Sequence, residues 1–216
     1  ITAGMEHYLE WKDPYPLKLE ELGDSPSSQE IMIAGLFSKI NFLDVMQNFT
    51  IFEPEGGRII KKIPRYQQFR AVHKTIERLK TGNTTKEKSG VIWHTQGSGK
   101  SLTMVFLAVK MRRDPELRDY KLVFLTDRTQ LDSQLTGTFT NAQDETVHNA
   151  DSVKSLKELL ESDSSGIVTA MVQKFQENAK EFEFPVLNES EKIIVLADEA
   201  HRTHGGDFTT NIHLNA

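Results

Sequence analysis

The 216-residue chain is 38% hydrophobic and 26% charged, the balance of a globular protein large enough to bury a core. Its net charge of −5 argues against a uniformly basic nucleic-acid binder, and no apolar run approaches the roughly 18 residues of a membrane span. There is no cysteine, which excludes a disulfide framework and a thiolate metal site and fits the cytoplasm.

Residues 1–28 hold Trp11, Pro14, Pro16, Gly23 and Pro26 among acidic residues and read as irregular connecting structure. The chain begins without Met and shows no signal peptide pattern, so a segment of a longer protein is expected. From Gln29, residues Ile33, Leu36, Phe37, Ile40, Leu43, Met46 and Phe49 recur at spacings of three and four. That spacing predicts an amphipathic helix whose apolar stripe packs inward. Phe52-Glu53-Pro54-Glu55-Gly56-Gly57 is a breaker cluster that ends it. Residues 1–57 are therefore expected to form a helical connector or docking segment.

Residues 58–64 read as a short extended lead-in. Tyr66 to Lys80 follows as a helix with Phe69, Val72, Ile76 and Leu79 on one face, and Gly82-Asn83-Thr84-Thr85 ends it in a polar loop. Val91-Ile92-Trp93 reads as a strand entering Gly97-Ser98-Gly99-Lys100-Ser101, and an apolar helix continues to Arg113. Strand, glycine loop and helix in that order suit a bound phosphate. Glycines let backbone N–H groups turn around phosphate oxygens, and the helix directs its positive end at the same anion. In this arrangement Lys100 reaches the β- and γ-phosphates and the Ser101 hydroxyl ligates Mg²⁺. A phosphate loop usually begins with glycine, but His94 stands in that place.

Downstream, Lys121–Thr126, Gly166–Val172 and Lys192–Ala197 are apolar runs of strand length. A helix carrying Leu131 and Leu135 and a short amphipathic helix at Val153–Leu160 lie between them. Alternating strands and helices imply an α/β fold with a parallel sheet covered by helices. The last strand runs directly into Asp198-Glu199-Ala200-His201. A carboxylate at the C-terminal end of a parallel strand sits where such sheets hold ligands. Asp198 suits a role in holding Mg²⁺, and Glu199 suits activation of the attacking water.

Charge is unevenly distributed. Residues 1–57 carry 3 basic and 10 acidic groups, residues 58–120 carry 15 and 5, and residues 121–216 carry 8 and 16. The basic middle third surrounds the glycine loop. Either a solvated positive face or an anion-attracting face accounts for it.

Four stretches together resemble the superfamily 2 helicases and translocases in their DEAH-box form. The closer likeness is to the restriction (R) subunit of type I restriction–modification enzymes. The stretches are Trp93-His94-Thr95-Gln96-Gly97-Ser98-Gly99-Lys100-Ser101, Asp198-Glu199-Ala200-His201-Arg202-Thr203, Phe124-Leu125-Thr126-Asp127-Arg128 with Leu131 and Gln134, and Ile167 through Phe175. The likeness covers about residues 58–216 well and 1–57 more loosely, and it includes His94.

The resemblance implies that 58–216 is the first RecA-like, ATP-binding motor lobe of a phosphate-loop NTPase, preceded by the helical connector. It implies ATP and Mg²⁺ as cofactors, with Thr95, Gln96, Gly97, Ser98, Gly99, Lys100 and Ser101 around the nucleotide. Gln68, in Arg65-Tyr66-Gln67-Gln68, would read the adenine edge, with Gln67 as the alternative. Arg128 and Gln173 would meet a DNA strand, Asp127 would orient Arg128 or cap the next helix, and His201 would couple the nucleotide site to DNA-side or partner-lobe motifs. His201 and His204 have no second close ligand cluster, so a histidine metal site is not expected.

The implied function is ATP hydrolysis that drives translocation along double-stranded DNA. The implied partners are the methyltransferase and specificity subunits and a second RecA-like lobe supplying an arginine. The nuclease and that second lobe would lie outside the chain, and no membrane partner is implied. Two other readings remain at this point: a different superfamily 2 helicase acting on DNA or RNA, and a non-catalytic nucleotide-binding module that switches a partner assembly.

Overall fold

The computed structural model describes residues 9–95, 97–126, 135–137, 139, 147–162, 164–171 and 188–198. The chain divides into two compact units, Ile1–Lys110 and Met111–Ala216. Arg128, Gln173, Glu199 and His201, along with the expected helix start at Leu131, lie outside the described residues, as does Gln96.

In the first unit a 3-10 turn at Leu19–Leu22 precedes α1 (Ser28–Gly35) and α2 (Lys39–Asn48). The helix expected as one piece is thus two. Ser27 caps α1, its hydroxyl accepting from the Glu30 N–H while the Glu30 carboxylate accepts from the Ser27 N–H at 2.8 Å. Gly35 is buried at the other end, where any Cβ would collide with the Asp13 carbonyl and the Trp11 ring. The close approach of Trp11 requires glycine here, and Ser38 takes the N-cap position of α2.

The apolar stripe corrects a second expectation. Phe49 is fully buried, but Ile33, Phe37, Ile40, Leu43 and Met46 are exposed. α2 instead turns Asn41, Asp44, Val45 and Asn48 inward. The polar members can be buried because each has partners. Asn41 Nδ2 donates to the Gly35 carbonyl at 2.7 Å and to the Tyr15 carbonyl. The Asp44 carboxylate accepts from Asn48 Nδ2 at 2.6 Å, from His73 Nε2 at 2.7 Å and from Lys110 Nζ at 2.7 Å.

The breaker cluster becomes an antiparallel hairpin, β1 (Ile51–Glu55) and β2 (Arg58–Lys62), with Glu55 opposite Arg58. Gly56 and Gly57 have φ of 58° and 77°, the left-handed pair that a two-residue hairpin turn demands. Pro54 is tolerated because a two-stranded ribbon leaves each strand with an open edge. α3 (Tyr66–Thr81) buries Phe69, Val72, Ile76 and Leu79 as expected, and the polar loop after it contains one short helix, α4 (Thr85–Lys88). α5 (Lys100–Arg113) is buried on nearly all sides from Val105 to Val109. The aromatic core of this unit centres on Phe49, whose ring lies 4.9 Å from Phe69 and 5.4 Å from Phe106. The strand expected at Val91–Trp93 is not formed, and Trp93 is 89% exposed. A short apolar run needs a neighbouring ladder to become a strand, and among the described residues none pairs with it.

The second unit contains β3 (Lys121–Thr126), β4 (Val147–Ala150), α6 (Val153–Glu161), β5 (Ile167–Met171) and β6 (Ile193–Ala197). The strands form a parallel sheet in the order β4-β5-β3-β6, with Leu122 opposite Ile167 and Ile194. All six residues of β3 are buried, which explains its unbroken apolar sequence. Val123, Leu125, Ala150, Leu156, Val168 and Ala170 make one core cluster, on which Leu159 and Leu160 of α6 pack. β4 was not legible beforehand: Val-His-Asn-Ala is half polar, as suits the end strand of a sheet.

Lys121 is buried at the start of β3. Its ammonium donates to the Leu159 carbonyl at 2.6 Å, to the Leu160 carbonyl at 3.2 Å and to the Ser162 carbonyl. It thereby satisfies the orphan acceptors at the C-terminal end of α6, where a cation is also favoured by the helix dipole. Among the described residues no helix is long and apolar enough to cross a membrane.

The Asp44 cluster sets a measurable stability. Burial alone would raise the Asp44 pKa, but the hydrogen bonds from His73, Asn48 and Lys110 and the lysine charge outweigh it and lower the value to about 2. A depressed carboxylate pKa contributes stability above its unfolded value, near 4, that is lost as pH falls toward 2. Asp44→Asn is expected to lower the unfolding free energy by about 2–4 kcal/mol at neutral pH, because it strands the Lys110 ammonium. In urea melts the gap between wild type and variant should close between about pH 4 and pH 2.

Candidate phosphate-binding site

The glycine loop lies in the first unit. The Ser98 N–H donates to the Thr95 carbonyl at 3.2 Å, closing a turn. Gly97, the third residue of that turn, has φ of 76°. Gly99 follows with φ of 83°, and α5 starts at the next residue. Both glycines hold a left-handed backbone that other residues rarely adopt. Above Gly97 there is open space: a Cβ would meet nothing within 4 Å. The first turn of α5 contains no acidic residue to neutralise its positive end. Lys100 and Ser101 occupy that end and are half-buried.

Two polar atoms in this loop are buried without a hydrogen-bond partner, the Ser98 hydroxyl and His94 Nδ1. Buried polar groups ordinarily find partners, so these two atoms leave bonding capacity that a water or a ligand can complete. His94 is half-buried, and its pKa lies below the ordinary imidazole value, first because of burial and then because of the Lys100 charge. Thr95 is exposed beside it.

Gln68 reaches this loop from the first turn of α3 and is only 2% exposed. Its Oε1 accepts from the Arg65 N–H at 2.8 Å, and its Nε2 donates to the Gly99 carbonyl at 2.9 Å. Gln67, its neighbour, is half-buried.

In the second unit Asp198 follows β6 directly and is 6% exposed. Its N–H donates to the Leu125 carbonyl at 2.8 Å, extending the ladder between β3 and β6 by one bond. The carboxylate residue thus stands at the C-terminal end of a parallel strand, as its sequence position implied. Among the described residues no group of three or more histidine, aspartate or glutamate side chains is placed to hold a metal ion. The loop fits a polyphosphate: it has two left-handed glycines with open space above Gly97, a helix end with no acidic residue, a lysine and an orphaned hydroxyl.

Residues 67–215 match the profile of the SWI2/SNF2 ATPase family. The chain belongs to that family. It is similar to the HindI type I restriction enzyme endonuclease subunit of Haemophilus influenzae, at 38% identity over 225 residues that cover 99% of this chain and 21% of that protein. A protein of Methanocaldococcus jannaschii, named as an MjaIXP type I restriction enzyme endonuclease subunit, is 37% identical over 195 residues, 88% of this chain and 18% of that protein. A third relative is named as the C-terminal part of the MpnIIP endonuclease subunit of Mycoplasma pneumoniae. It is 26% identical over 215 residues, 94% of this chain and 98% of that protein. The chain spans about a fifth of the length of the first two relatives. The resemblance to restriction endonuclease subunits therefore holds over most of this chain, and the fold is an α/β ATPase lobe with a parallel sheet.

The His94 environment can be read directly. In a histidine-resolved NMR titration its midpoint is expected below 6.5. Lys100→Ala should raise that midpoint without restoring the ordinary value, since the larger cause, burial, remains.

Proposed function

We propose that this chain is the nucleotide-binding part of a DNA-translocating motor in a type I restriction enzyme. The observation that carries the reading is the open glycine loop running into the acid-free N-terminus of α5, with the Ser98 hydroxyl left unpartnered. A polyphosphate oxygen would complete that hydroxyl and be met by the loop N–H groups. Family membership supports ATP as the nucleotide, and the relatives' names support the restriction setting.

Under this reading Thr95, Gln96, Gly97, Ser98, Gly99 and Lys100 surround the phosphates, and Gln68 belongs to the nucleotide site. Ser101 and Asp198 would hold Mg²⁺. Glu199 would take a proton from the attacking water, while Lys100 would offset the charge that builds on the γ-phosphate. Bound Mg-ATP supplies the phosphoanhydride whose cleavage drives the motor. Arg128 and Gln173 would contact double-stranded DNA, and His201 would link nucleotide state to that contact. The other expected partners are a second RecA-like lobe and the methyltransferase and specificity subunits, in the cytoplasm. We also propose a functional division at 57/58, with a docking segment before and the motor lobe after. That point lies in the turn of the β1–β2 hairpin, inside the first compact unit, so the division is one of role and not of packing.

Glu199→Gln tests the reading in the full-length protein assembled with its partners. Mg-ATP affinity should stay within about twofold, while DNA-stimulated hydrolysis falls by about 100-fold or more, the usual contribution of a general base. If the assembled wild type binds Mg-ATP but shows no DNA-stimulated hydrolysis, a non-catalytic nucleotide switch replaces the motor.

A further inference from the structure

The outer side of α1 and α2 is apolar where a solvent-facing helix is ordinarily polar. Ile33, Phe37, Ile40, Phe42, Leu43 and Met46 are all exposed, Ile40 by 78% and Leu43 by 55%. The Phe37 and Phe42 rings stack 6.0 Å apart, which carries the apolar surface across the junction between the two helices. Ile40, Leu43 and Met46 follow at helical spacing along α2. Single exposed hydrophobic side chains are normal on a protein surface, but a group of this size marks a contact with something else.

Rotating α2 would not hide it without loss. The inward side holds Asn41, with two carbonyl acceptors, and Asp44, with donors from Asn48, His73 and Lys110. Turning Ile40 and Leu43 inward would break those bonds and strand a carboxylate and an ammonium. The outward direction of the apolar side is therefore enforced by the polar side.

The chemistry of the face narrows its occupant. From Ile31 to Asn48 the charged residues are Lys39 and Asp44, and Asp44 is turned inward. A face with one lysine has nothing to hold a polyanion, so nucleic acid does not fit it. Contacts that form and dissolve keep a largely polar surface, whereas those that stay closed are apolar, like a core cut in two. The chain spans about a fifth of the length of the first two relatives, so in a protein of that size roughly four-fifths of the polypeptide lies elsewhere. Covalent connection holds such a remainder at an effective concentration of about millimolar, far above that of a separate subunit or a second copy.

We propose that the outer face of α1 and α2 is an internal docking surface, covered in the full-length protein by an apolar, weakly charged face of the same polypeptide outside residues 1–216. The proposal names the partner of the docking segment put forward above and rests on that reading.

The test places the photo-crosslinker p-benzoylphenylalanine at Ile40 or, in a second protein, at Met46, in the full-length protein free of other subunits. Lys86, exposed on α4, is the control position. Irradiation should give products of monomer mass, joined to peptides outside residues 1–216, at least about tenfold above the control and unchanged by dilution. Ile40→Glu combined with Leu43→Glu leaves the donors to Asp44 in place and should lower the thermal midpoint of the full-length protein by several degrees. Products of dimer mass that vanish on dilution would replace the proposed occupant with a second copy. Products formed only after the methyltransferase and specificity subunits are added would replace it with a partner subunit. In both cases the docking segment stands and this inference falls. Crosslinks confined to residues 1–216, or none above the control with an unchanged midpoint in the double variant, would sink the docking segment and the inference together. Mg-ATP binding, measured on the same samples, reports on the motor reading separately.

Discussion

Asp44 sits where three helices meet, and the geometry of the first unit depends on keeping it charged. Its donors come from α2 itself, from His73 on α3 and from Lys110 near the end of α5. A carboxylate this poorly exposed would cost several kcal/mol if left alone, and each donor would lose its own partner without it. The arrangement therefore works only as a set. The His73 ring stacks on Phe49 at an interplanar angle of 13°, so the polar cluster and the aromatic core share a boundary. Two helices fixed there, α3 and α5, are also the two that meet at the glycine loop, through Gln68 and Gly99. Each is held near the loop and again farther along its length. That is a sound way to keep a glycine-rich turn, flexible by its own chemistry, in one shape.

Much of the second unit was legible in sequence because β3 and β5 are buried on both faces, and β6, half-buried, is written in the same apolar residues. β3, β5 and β6 each appear within a residue or two of the apolar runs that announced them, since a parallel strand writes its burial as an unbroken hydrophobic string. The first unit was less legible, for physical reasons that differ from place to place. The helical spacing of Ile33 to Phe49 was real, but the buried face of α2 is the one bearing Asn41, Asp44 and Asn48. Polar residues can be turned inward when hydrogen bonds satisfy them, and hydropathy has no knowledge of those partners. The Pro54-Glu55-Gly56-Gly57 stretch looked like a terminator because composition alone cannot separate a loop from a two-residue hairpin turn. The Val91–Trp93 strand failed for the opposite reason, since its local pattern was adequate but a strand exists only beside another strand.

The loop itself was read well from its glycines, lysine and serine. What the sequence could not convey was how the loop is held. An amide three residues into a helix gives no sign of being buried against a carbonyl 31 residues later. Likewise, the replacement of a first loop glycine by His94 looked like a weakness in the motif. In the structure it places a half-buried ring with an unpartnered nitrogen beside a lysine that disfavours its protonation.

The two tryptophans occupy opposite extremes. Trp11 is 7% exposed, 5.6 Å from the Phe69 ring, while Trp93 is 89% exposed and leads into the glycine loop. No other tryptophan is present. The chain thus carries two optical reporters with well-separated emission, one blue-shifted by its apolar surroundings and one open to a collisional quencher. Quenchable fluorescence would report events at the loop, and unquenched fluorescence would report the integrity of the core, with no label attached.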